Sequence, residues 1–88
     1  MLKIIYSNKF KKDYKKIKNK DTKEKIKLTI IKIAKSEKLD KKYKNHKLKG
    51  NYKDYQECHI TPDLLLIYKI QKDNIYLYRL GSHSDLFN

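Results

Sequence analysis

The sequence predicts an α+β domain: a helical hairpin packed on one face of a mostly antiparallel four-stranded sheet, in the order β-α-α-β-β-β. Three observations predict it. Apolar residues recur at helical spacing between positions 8 and 36, strand-like runs separated by short turn-forming connectors fill the second half, and 88 residues supply material for only one core. The whole chain, residues 1–88, is therefore read as a single domain.

Each element has its own local reason. Residues 2–6, "LKIIY", are a short strand, and Ser7 behind them is a good helix N-cap. Phe10, Tyr14 and Ile17 then fall at i, i+4 and i+7, an apolar stripe on a lysine-covered helix. "DTKE" reads as a capping box, with Asp21 capping and Glu24 three residues on. The second helix that it opens turns Ile26, Ile30, Ile33 and Ala34 inward and ends near Ser36. The polar, basic stretch "EKLDKKYKNHKLKG" lacks sustained periodicity and is expected to be a loop closed by Gly50. Strands are expected over 52–60, 64–70 and 75–80, joined by "TPD" and "QKDN", which are short enough for antiparallel hairpins. With the helices on one face, the other face is expected to stay open.

Net charge is +13, and its distribution is uneven. Residues 1–53 carry 20 lysines against five acids, or +15, whereas residues 54–88 carry two lysines and Arg79 against five acids, or −2. Such a basic field attracts a polyanion and gains from counterion release on contact, so nucleic acid is the natural partner. No run of about 18 apolar residues suggests a membrane span, and no secretory leader is recognised, so a cytoplasmic location is expected. Cys58, the single cysteine, has no internal disulfide partner.

Chemistry-bearing residues gather in the second half. In "YQECHI", strand alternation sends Cys58 and Ile60 to the helix-covered side and Tyr55, Glu57 and His59 to the other, placing a carboxylate and an imidazole together. Asp63, in the "TPD" turn, belongs at the rim of that strand pair. His46 lies in the basic loop and His83 follows the last strand; Gly50 and Gly81 would let those segments bend toward the sheet. The closing "RLGSHSDLFN" also holds the only arginine, Arg79, whose planar fork suits phosphate, and Phe87, an aromatic available to a ligand or a plug for the chain end. No metal site is predicted: Cys58 and His59 face opposite ways, and there is no CxxC or HxxxH spacing. No glycine-rich phosphate loop or other cofactor motif is present, and no cofactor is expected.

Taken together, "NHKLKG", "YQECHITPDLLLIYKI" and "RLGSHSDLF", in this order and spacing, resemble the YafQ branch of the RelE/ParE superfamily of bacterial type II toxins, over essentially the full chain. The resemblance implies a RelE-like fold and an endoribonuclease that cleaves mRNA, typically at the ribosome, and is restrained by a cognate antitoxin. His46, His59, Asp63, His83 and Phe87 match the family's active-site residues. Glu57 stands where the best-known member has aspartate, and Arg79 matches a family arginine suited to phosphate. Lys47, Lys49, Lys53 and Tyr55 are further candidate substrate contacts. Metal-free RNA cleavage needs a base for the 2′-OH, stabilisation of a phosphorane and an acid for the departing 5′-oxygen; histidines can fill both proton-transfer roles. On this reading His83 is the acid, His59 or His46 the base or orienter, and Asp63 and Glu57 electrostatic tuners. The alternatives are a non-catalytic RNA- or ribosome-binding protein of the same fold, or a toxin with a protein target such as gyrase.

Overall fold

The computed structural model describes residues 1–87, with Asn51 described through its backbone alone. Strand β1 (Lys3–Tyr6) leads into helices α1 (Asn8–Lys15) and α2 (Lys20–Ala34). A 3₁₀ turn (Lys41–Tyr43), strand β2 (His46–Lys47) and a second 3₁₀ turn (Gly50–Tyr52) follow. The chain then forms β3 (Gln56–Thr61), β4 (Leu64–Gln71), β5 (Asn74–Gly81) and a short helix α3 (His83–Phe87). The sheet has five strands in the order β1-β5-β4-β3-β2, with β1 parallel to β5 and the other pairs antiparallel.

The α+β class and the helical hairpin over one sheet face agree with the sequence reading, but a fifth strand is added. His46 and Lys47 pair with Glu57 and Gln56 at the edge of β3, where a loop was expected. Two residues are too few to show a period; the pairing itself makes them a strand. At the other side, β3 begins at Gln56 rather than residue 52, because the 3₁₀ turn and the residues after it carry the chain around the sheet edge.

Local chemistry sets the helix starts. The Ser7 hydroxyl accepts from the Phe10 amide at 2.9 Å and donates to the Tyr78 carbonyl at 2.7 Å, so one side chain caps α1 and ties it to β5. Helix α2 is capped by Asn19, which accepts from the Thr22 amide at 3.0 Å. Asp21, expected as the cap, instead lies in the first turn, where its charge complements the helix dipole.

The main core lies between the hairpin and the sheet. Phe10, Ile26, Ile30, Ile33 and Ala34 bury against Cys58, Ile60, Leu66, Tyr68, Ile75, Leu77 and Leu80. Each large apolar side chain removed from water here contributes roughly 1.5–3 kcal/mol before entropy is counted. The alternation expected of β3 holds, since Cys58 and Ile60 join this core. The opposite face is not open. Leu65, Ile67 and Leu86 form a second, smaller core there, covered by Leu48, Tyr55, Tyr78 and Phe87. Among the described residues, no helix is long and apolar enough to cross a membrane.

Candidate active site

The second face carries the predicted residues, and the β2–β3 pairing organises them. Because His46 is the register partner of Glu57, and His59 lies two residues along β3 on the same face, a single carboxylate meets both imidazoles. Glu57 Oε1 is 3.6 Å from His46 Nε2 and 3.4 Å from His59 Nε2. Glu57 is 7% exposed, so the two imidazoles are the polar neighbours of an otherwise enclosed acid. His46 is fixed from its other side. Lys44 adopts a left-handed conformation (φ 46°), and its carbonyl lies 2.8 Å from His46 Nδ1; a carbonyl only accepts, so Nδ1 is the donor.

His59 continues into a cleft of about 320 Å³, which it lines with Asp63, Ser82, His83 and Leu65. Two histidines from distant segments therefore share one small cleft with a carboxylate at its rim. His83 is presented by α3, which has a reciprocal cap: the Asp85 amide donates to Ser82 Oγ at 3.1 Å and the Ser82 amide to Asp85 Oδ2 at 3.4 Å. Gly81 was expected to supply a bend, but it still belongs to β5. It allows close approach: a Cβ there would lie 3.2 Å from Leu86 Cδ2, so Leu86 of α3 would have to give by a few tenths of an ångström.

Phe87 packs half-buried on the second core, with its ring centroid 5.0 Å from the His83 ring and 5.8 Å from Tyr52. Phe87 thus anchors the chain end on the second core while standing beside the His83 ring. An aromatic row continues from it, with Tyr52 6.2 Å from both Tyr55 and Tyr78, and Tyr55 and Tyr78 5.0 Å apart. Lys47, Lys49 and Lys53 are exposed around β2 and the second 3₁₀ turn.

Arg79 is placed differently from the other predicted residues. Its Nε donates to Asp13 Oδ2 at 2.8 Å and an NH2 nitrogen donates to Oδ1 at 3.2 Å, a bidentate pair across the α1–β5 boundary. The Leu80 amide donates to the same Oδ2 at 3.0 Å. The cause is topological: β1 pairs with β5 only as far as Leu77, and Asp13 supplies an acceptor beyond that point. Burial by itself would raise the Asp13 carboxyl, but hydrogen bonds from Arg79 and Leu80, with the charges of Arg79 and Lys16, outweigh it and hold the group below its ordinary value. The Arg79 guanidinium is raised, first by its hydrogen bond to Asp13. Arg79 lines a neighbouring groove that meets the histidine cleft at Asp63 and Ser82. Sequence reasoning did not single out Asp13. The available signal was that it is the one acid among eight lysines in residues 1–20.

Among the described residues, no group of three or more His, Cys, Asp or Glu side chains is arranged to hold a metal ion.

The family model for "Bacterial toxin of type II toxin-antitoxin system, YafQ" matches residues 2–88. The chain belongs to the YafQ toxin family. It is thus a toxin of a type II toxin–antitoxin system. A curated relative, the mRNA interferase toxin YafQ of Escherichia coli K12, is 35% identical over 86 residues, covering 96% of this chain and 94% of its own. The YafQ chain in the crystal structure of the E. coli DinJ–YafQ toxin–antitoxin complex superposes with a TM-score of 0.83 at 31% identity, covering 100% of both chains. A metal-bound toxin from Helicobacter pylori gives a TM-score of 0.87 at 41% identity, covering 99% of this chain and 100% of that one. The YafQ-family assignment and the α+β architecture thus agree with the sequence reading.

Proposed function

We propose that this YafQ-family toxin is an endoribonuclease that cleaves mRNA, with the ribosome as its working surface, and that an antitoxin with an acidic segment restrains it. The observation that carries the reading is the line of groups from His46 through Glu57 to His59, which opens into the cleft shared with His83. This arrangement supplies two proton carriers and an orienting carboxylate around one small space, the minimum set for cutting RNA without a metal. The mRNA interferase name of the E. coli relative and the DinJ partner of E. coli YafQ support the substrate and antitoxin parts.

In this mechanism His59, oriented by Glu57, takes the proton from the 2′-OH. The freed 2′-oxygen bonds to phosphorus, the bond from phosphorus to the 5′-oxygen breaks, and His83 gives its proton to that oxygen. The products are a 2′,3′-cyclic phosphate and a 5′-hydroxyl, and solvent proton exchange resets both histidines. His46, held through Nδ1 by the Lys44 carbonyl and facing Glu57 through Nε2, orients that carboxylate from the side opposite His59. Asp63 tunes the rim of the cleft, and Phe87 positions a base beside His83. Arg79, whose fork and charge are matched by Asp13, fastens α1 to β5 beside the adjoining groove.

The test is one labelled mRNA incubated with purified, antitoxin-free toxin, with and without ribosomes and in EDTA. Cleavage that persists in EDTA agrees with the proposal. No cleavage by folded toxin in any ribosome-containing sample sinks it, and cleavage abolished by EDTA and restored by a metal refutes the metal-free mechanism.

A further inference from the structure

The histidine cleft continues past His59 and Pro62 into a larger groove of about 620 Å³, between α2 and the 3₁₀ turn that precedes β2. Lys25 and Lys32 come from α2, and Lys42 and Lys44 from the turn; no residue lining the groove is acidic. The floor is partly apolar. Leu28 is 54% exposed, and Tyr43 has the Lys32 and Lys42 ammonium groups 5.7 and 5.5 Å from its ring centroid. Cations around a ring beside apolar surface are what grooves for single-stranded nucleic acid combine, because the charges track phosphates while the ring and apolar surface meet bases.

We infer that this groove is a second RNA subsite, which holds the strand flanking the scissile phosphate. The inference deepens the proposed endoribonuclease reading and rests on it. A strand whose reactive phosphate lies between His59 and His83 must leave the small cleft, and this groove opens directly from it at His59. Lys44, which lines the groove, also has its carbonyl 2.8 Å from His46 Nδ1, on the imidazole that faces Glu57. Occupation of the groove therefore bears on the backbone that orients an active-site histidine. A lining with four lysines and no acid favours RNA over a neutral or basic peptide, and an acidic protein segment is the competing occupant that the experiment separates.

The test measures binding of a fluorescent, fully 2′-O-methylated oligonucleotide, which the enzyme cannot cut, as salt is varied. Lys32→Ser/Lys42→Ser is compared with Lys12→Ser/Lys27→Ser, which removes the same charge from exposed lysines outside the groove. Two lost phosphate contacts reduce the slope of log affinity against log salt by about 1.4, at roughly 0.7 per phosphate on a single strand. The groove variant is expected to show that reduction, and the control pair a clearly smaller one. Equal slopes for the two variants, or an unchanged groove variant, overturn the inference, as does a groove variant that loses only antitoxin binding. Failure of the catalytic reading is distinct, since it would show as wild-type toxin that binds the oligonucleotide with the groove-dependent slope yet cuts no natural RNA.

Discussion

Replacing Asp13 with alanine tests how α1 is fastened to β5. The substitution removes an acceptor that serves Arg79 Nε at 2.8 Å, an Arg79 NH2 nitrogen at 3.2 Å and the Leu80 amide at 3.0 Å. Leu80 is 3% exposed, so an orphaned amide there costs about 1–3 kcal/mol. Removing one partner of a fully buried ion pair costs about 3–5 kcal/mol, but the Arg79 side chain is 27% exposed and solvent recovers most of that, leaving roughly 1 kcal/mol. The sum is about 2–4 kcal/mol. At roughly 4–8 °C per kcal/mol for a domain of this size, melting falls by at least about 8 °C. Asp13→Asn keeps one oxygen for the Leu80 amide but loses the charge and turns an NH2 donor toward the guanidinium in place of the second acceptor, so it spares the amide that Asp13→Ala orphans while still weakening the Arg79 pair. The pH dependence has a definite sign. Because the folded carboxyl is held below its ordinary value, the stability it adds is fully present above about pH 4 and is lost as pH falls through the folded value. The melting gap between wild type and Asp13→Asn should therefore be largest near neutrality and narrow in acid. Calorimetry of the three proteins between pH 3 and 7 measures this. An Asp13→Ala protein melting within about 1 °C of wild type at pH 7, or a gap that widens in acid, would refute the reasoning.

His83 is exposed, so His83→Ala should melt like wild type yet lose about 10²- to 10⁴-fold in turnover while RNA affinity is retained; single-turnover cleavage beside a binding titration separates the two. A parallel loss in affinity would make His83 a docking residue instead. Gly81→Ala puts a methyl 3.2 Å from Leu86 Cδ2, and overpacking of this kind costs about 1–3 kcal/mol; α3 should shift, lowering activity together with melting temperature, and full activity would contradict the close-approach argument. Burial, with the nearby Glu57 charge adding to it, pushes the Cys58 thiol up to about 12, so a thiol reagent at pH 8 should label it only after denaturation; rapid labelling of native protein would show that the core opens there.

Periodicity made the scaffold legible. The stripe of Ile26, Ile30, Ile33 and Ala34 fixed the buried face of α2, and alternation through Cys58 and Ile60 placed Glu57 and His59 together on the other side of β3. Features made by contacts between distant segments left no such trace. Strand β2 is two residues whose conformation depends on pairing with Gln56 and Glu57, so His46 read as a loop residue although its register partner is a candidate site acid. Asn19 and Asp21 are both competent caps two positions apart, and local sequence did not reveal that the helix begins a little earlier than the apparent capping box. Cover of the second face depends on Tyr55, Tyr78 and Phe87 meeting from three segments, which tyrosine content alone does not specify. Arg79 drew attention as the sole arginine. Its partner, Asp13, lies 66 positions away and was marked only by its isolation among lysines.

The central claim is that the toxin cuts RNA by transferring protons at a 2′-OH, with histidines and no metal. Its most direct test is the chemistry of the new ends in an mRNA cut by purified toxin in EDTA, alongside the same RNA carrying one 2′-deoxy residue at the cleavage position. A 2′,3′-cyclic phosphate and a 5′-hydroxyl, with no cut at the deoxy position, are predicted. A 3′-hydroxyl with a 5′-phosphate, or undiminished cutting of the deoxy substrate, would contradict the account.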